Sequence, residues 1–152
     1  MSTTTTMGEL SELTGQELGT SEWFEVTQES VNLFAEATGD RQWIHVDVER
    51  AKKESPFGGP IAHGFMTLSL LVPLASGTYR ITDSKMGVNY GLNKVRFPSP
   101  VPVGSKVRAS AVLKEVTEVA GGLQYVLAVT VERQGGDKPV AIAEPVYRVY
   151  GG

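Results

Sequence analysis

The chain has no cysteine. That absence removes disulfide staples, a thiolate nucleophile and cysteine-ligated zinc together, and a reducing, cytoplasmic setting is the expectation that fits it. Histidine is scarce as well: His45 and His63 are the only two in 152 residues. No apolar stretch is long enough for a bilayer. The longest, about Phe65 to Ala75, falls well short of the roughly 20 residues that a spanning helix needs. Met1 to Met7 is a Ser/Thr run without the basic and apolar regions of a secretory signal, so residues 1–8 are expected to be a disordered tail and 9–152 one domain. Charge of one sign is missing too. With 17 acidic and 14 basic residues, the formal net charge is −3 and no basic block stands out. Neither a nucleic-acid nor a membrane partner is expected.

What the chain does contain is one helical half and one strand-rich half. Thr27 is placed to cap a helix from Gln28, with Val31, Phe34 and Ala35 on one face and Gly39 as its stop. Asp40 to His45 reads as loop, and Asp47 can cap a short helix through Lys53. Ile61 to Ala75 carries apolar or small residues on nearly every face, the pattern of a buried helix, with Pro73 and Gly77 marking its end.

Beyond Tyr79 the pattern is sheet. Val88, Tyr90 and Leu92 keep one phase and Val95 and Phe97 the other, so a bulge or bend is expected near Gly91 to Asn93. Val107 to Leu113 and Leu123 to Val131 alternate as a hairpin about Gly121-Gly122. A last strand covers about Val140 to Tyr150, where Pro145 suggests an edge or an irregular position. The expected class is α+β, an antiparallel sheet wrapped around a long central apolar helix. Such a small wrapped sheet leaves an edge to cover, and a homodimer is the expected remedy.

The groups able to do chemistry concentrate between Phe34 and Met66. Thr38-Gly39-Asp40-Arg41-Gln42-Trp43-Ile44-His45, followed by Phe57-Gly58 and Pro60-Ile61-Ala62-His63-Gly64-Phe65, resembles the MaoC-like dehydratases, the (R)-specific enoyl-CoA hydratases of hotdog fold. Val95-Arg96-Phe97-Pro98-Ser99-Pro100-Val101 and Val103-Gly104-Ser105 also resemble that family's sheet region. The resemblance implies syn hydration of a trans-2-enoyl thioester to an (R)-3-hydroxyacyl thioester, and the reverse dehydration, with acyl-CoA as substrate and no cofactor. It places the family's catalytic aspartate on Asp40, its catalytic histidine on His45 and its backbone oxyanion donor on Gly64. The chain departs from the family pattern at Gln42-Trp43, where Asn-Pro is usual.

The chemistry supports the same residues. Hydrating a conjugated thioester needs a held water, a proton for the α-carbon and a donor to an enolate-like oxygen. An Asp/His pair can supply the first two, and an N–H in the first turn of a helix the third. Which of Asp40 and His45 starts as the base stays open. Taken singly, Asp40 reads as a turn residue and His45 as a partly buried structural histidine; order and spacing favour catalysis. Gln42 is a possible supporting side chain. His63 reads first as a structural residue bonding local backbone, with a supporting role second. Asp40, His45, His63 and Asp47 lack a standard ligand spacing, so no metal is expected. Two other functions use the same architecture: thioester hydrolysis, and a non-catalytic acyl-thioester-binding or partner subunit.

Overall fold

The computed structural model describes residues 2–151. The elements are β1 (Thr3–Thr5), a 3-10 turn (Leu10–Leu13), β2 (Glu17–Thr20), β3 (Phe24–Glu25), α1 (Gln28–Thr38), α2 (Trp43–Val46) and α3 (Val48–Glu54). After a long loop come α4 (Gly64–Ser69), α5 (Leu71–Ala75), β4 (Tyr79–Ile81), β5 (Met86–Arg96), β6 (Lys106–Val119), β7 (Gly122–Arg133) and β8 (Ala141–Tyr150). The main sheet runs β2-β6-β7-β8-β5, with β3 also on β6, and its pairings are antiparallel. Its inner face, including Val107, Ala109, Leu113 and Leu127, meets Met66, Leu71 and Leu74 from α4 and α5 in one core. Among the described residues no helix is long and apolar enough to cross a membrane.

Several local rules hold as expected. Thr27 Oγ1 accepts from the Ser30 N–H at 3.1 Å, and Gly39 closes α1 at φ +87°, a left-handed conformation that strains any residue with a Cβ. Asp47 Oδ1 accepts from the Arg50 N–H at 3.1 Å at the start of α3. The phase change in β5 is present as register shifts between Asn89 and Gly91 and between Leu92 and Val95.

Three expectations change. Thr3–Thr5 lies inside the supposed tail but pairs in parallel with β4, and Thr5 is buried. Threonine's β propensity is enough for a strand where a partner edge is available. Second, the single helix over 61–75 is two short ones meeting at Leu70. Pro73 explains the break: it has no N–H for the Ser69 carbonyl and its ring crowds that oxygen, so Pro73 sits in the first turn of α5 rather than ending a longer helix. Third, this helical segment is not wrapped on every side: Phe65 is 71% exposed and Val72 48%. Of the two alternatives for Pro145 the irregular position holds: it lies on β8, between β7 and β5, at an irregular stretch of the pairing.

Candidate active site

Each polar group of the site is set by backbone. The left-handed Gly39 turns the chain out of α1 and leaves Asp40 exposed just beyond it. The segment expected as loop then winds into one turn, α2, which carries His45. Gln42 stands at the N-cap and Trp43 at the first helical position, with Arg50 over the Trp43 ring at 4.2 Å. The first helical position is also where proline is favoured, so Trp43 fits the backbone that the usual Pro would suit. Gln42 contributes its backbone N–H to Asp40 Oδ1 at 3.4 Å, while its side chain makes no capping bond.

Ile61 fixes His45 from the other side. Its N–H donates to the Ile44 carbonyl at 3.0 Å, and its carbonyl lies 2.7 Å from His45 Nδ1. A carbonyl only accepts, so Nδ1 carries the proton and Nε2 keeps its lone pair. His45 as a residue is 6% exposed, but Nε2 has no protein partner among the described residues and is not sealed from solvent. Burial lowers the His45 pKa from the ordinary histidine value; the charge of His63 adds to this, while the Ile61 bond and Asp40 oppose it. His45 is therefore a neutral imidazole near pH 7, with its free nitrogen toward solvent. Gln28 Nε2 ties the His45 carbonyl to α1 at 2.8 Å, a contact that nothing in the sequence pattern signals.

His63 immediately precedes α4 and is 2% exposed. Its partner is not local: Nε2–H donates to the Asp40 carbonyl, 23 positions away, at 2.9 Å. Its ring stacks on His45 with centroids 3.8 Å apart and 24° between planes, and Phe34 lies 4.8 Å from it. Nδ1 is buried without a partner, at a cost of ~1–3 kcal/mol for an unsatisfied group.

Asp40, His45 and His63 each offer a ligating atom, all within 4.8 Å of one another. Yet rings stacked face to face aim their lone pairs side by side, so an ion about 2.0–2.1 Å from both would not lie in both ring planes.

Gly64 follows His63 directly and opens α4. Its N–H donates to no acceptor among the described residues. A Cβ there would meet the Phe97 ring at 3.1 and 3.2 Å, so only glycine keeps this approach clear. Gly64 and Phe97 border a cavity of about 350 Å³ shared with Phe57 and Thr67. A second hollow of about 370 Å³ runs between α4–α5 and β5, past Leu68, Val72 and Tyr90. A neighbouring hollow, which shares Val72, Asn89 and Tyr147 with it, is also lined by Tyr79 and Tyr125. The Tyr79 and Tyr125 hydroxyls lie 2.6 Å apart; burial pushes Tyr125 and Tyr147 up to about 12 and Tyr79 higher still.

A carboxylate and a neutral imidazole side by side, with an open amide one residue from the second imidazole, suit the addition and removal of water. The class is that of the hotdog-fold hydro-lyases. Residues 9–134 match the family described as MaoC like domain, and the chain belongs to that family. The 3-hydroxyacyl-thioester dehydratase Z of Mycobacterium tuberculosis is 51% identical over 149 residues, covering 97% of this chain and 98% of that protein. Nodulation protein N of Rhizobium leguminosarum bv. viciae is 53% identical over 131 residues, covering 85% and 81%. Among solved structures, the (R)-hydratase from A. caviae involved in PHA biosynthesis aligns with a TM-score of 0.71 at 25% identity, covering 88% of this chain and 94% of that one.

Proposed function

We propose that the protein hydrates trans-2-enoyl-CoA to (R)-3-hydroxyacyl-CoA, and catalyses the reverse dehydration, without metal or organic cofactor. The observation that carries this reading is the tautomer of His45: the Ile61 carbonyl holds the proton on Nδ1 and leaves the Nε2 lone pair open, on a ring with a nitrogen within 4.8 Å of an Asp40 carboxylate oxygen. Water held between that lone pair and the Asp40 carboxylate gives its proton to Nε2 as its oxygen bonds to C3. The same proton then passes from His45 to C2, so hydroxyl and hydrogen arrive on one face and the pair returns to its starting state. The Gly64 N–H receives the thioester oxygen as negative charge develops on it. The hollow along α4–α5 takes the acyl chain.

The same reading includes a second copy of the chain. β5 is the last strand of the sheet, 11 residues long, and no strand of the described residues covers its outer edge. Met86, Val88, Tyr90 and Leu92 are all exposed on it. Its two cations, Lys94 and Arg96, fall at one end, so antiparallel self-pairing keeps the cations of two copies apart.

The deciding experiment is hydration of crotonyl-CoA and longer enoyl-CoA esters, followed by loss of enoyl absorbance and chiral analysis of the product. Asp40→Asn and His45→Gln are expected to lose ~100-fold or more in kcat, with far-UV circular dichroism unchanged. Wild-type turnover in both variants overturns the reading. Thiol release from saturated acyl-CoA replaces it with hydrolysis, and binding without turnover on any chain length replaces it with a non-catalytic role.

A further inference from the structure

His63 has two properties that a simple helix-start residue would not need. It keeps a buried Nδ1 with no partner, where a hydrocarbon ring of similar shape would leave nothing unsatisfied. It also spends its other nitrogen on the backbone carbonyl of Asp40, while its ring stacks on that of His45.

We propose that His63 is a positioning residue for hydration: its Nε2–H clasps the Asp40 carbonyl and its ring braces His45, holding carboxylate and imidazole at one separation while a proton comes and goes. The inference rests on the hydratase reading above. The clasp matters because the Asp40 stretch has little else to hold it. The neighbouring contacts are the Asp40 N–H to Thr38 Oγ1 at 3.3 Å and the Gln42 N–H to Asp40 Oδ1 at 3.4 Å, both long, and the ion pair of Arg41 with Glu36 is exposed. The brace also has an electrostatic side. A charge on His63, stacked at 3.8 Å, would disfavour the extra proton that the catalytic cycle puts on His45. The charged or titratable groups acting on His45 are Asp40 and His63, which pull in opposite directions.

The test separates the two halves of the role. His63→Phe keeps an aromatic brace and loses the clasp. His63→Gln keeps a donor at nearly the position of Nε2 and loses the ring. For His63→Phe, kcat for the preferred enoyl-CoA is expected to fall about 10- to 100-fold with KM changed by less than about threefold. Its Tm should change little, since the lost bond to the Asp40 carbonyl is offset by removal of the unpaired nitrogen. His63→Gln should recover part of the lost kcat. In both variants the acid limb of the kcat/KM profile should move to higher pH, because the neighbour that disfavours a proton on His45 has been removed. Wild-type kcat and an unmoved acid limb in His63→Phe overturn the proposal; so does equal loss in both variants together with a lowered Tm, which marks a packing role only. Should His63→Phe fail to fold, the acid limb of His63→Gln decides: moved upward it supports the proposal, unmoved it overturns it. A wild-type protein inactive from crotonyl- to dodecenoyl-CoA overturns the hydratase reading and this inference together, whereas active wild type with an indifferent His63 removes this inference alone.

Discussion

On the proposed reading, the Ile61 carbonyl settles which nitrogen of His45 is free to act as the base. By accepting from His45 Nδ1 it selects the tautomer, while burial holds the imidazole pKa below the ordinary value of about 6.5. A base with a lowered pKa keeps its lone pair until the pH falls through that lower value. The acid limb of kcat/KM is therefore expected below pH ~6.5, measurable with crotonyl-CoA across the acid range. The same depression means that the unfolded chain binds a proton there before the folded one does, so this residue's contribution to stability declines as the pH drops. Gly64 permits a cleaner test. It stands at the first position of α4, and His63 before it is extended at ψ 139°, a combination that accepts proline. Gly64→Pro deletes the N–H, while Gly64→Ala adds a Cβ against Phe97 and retains the N–H. The proline variant should be slower than the alanine variant by about 10²–10³ in kcat if that N–H receives the thioester oxygen; equal rates would remove Gly64 from the mechanism.

Among the elements, α1 controls where Asp40 emerges. Gly39→Ala forces a Cβ into the left-handed region and is expected to cost ~1–2 kcal/mol, read as a lower urea midpoint, with kcat reduced because the Asp40 loop shifts. Local rules of this kind were legible in the sequence. The caps at Thr27 and Asp47, the stop at Gly39 and the bend in β5 near Gly91 each follow from one residue's conformational preference or from a change of phase. Contacts made across long separations were not. His63 reaches Asp40 and Gln28 reaches the His45 carbonyl through the fold, and neither pairing leaves a spacing to read. The helix break at Leu70 did leave a signal in Pro73. It was misplaced because a proline marks the residue four positions earlier as well as its own.

At the scale of the whole molecule, the apolar surface spreads over β5 and the outward side of α4–α5, including Phe65, Val72, Met86 and Tyr90. Patches of that kind mark an interface in a protein that stays in solution. Val88→Glu sets a charge on the uncovered edge and is expected to shift the mass measured by light scattering from two copies to one. An unchanged dimer would move the interface away from β5, and a wild-type monomer would dismiss the second copy. The parallel contact of Thr3–Thr5 with Tyr79–Ile81 has a practical side. Tyr79 lines the hollow along α5, so part of the wall of that space is moored by Thr3–Thr5. An affinity handle fused ahead of Thr3 would tug on that mooring, and the choice of handle position becomes a choice about the shape of that hollow.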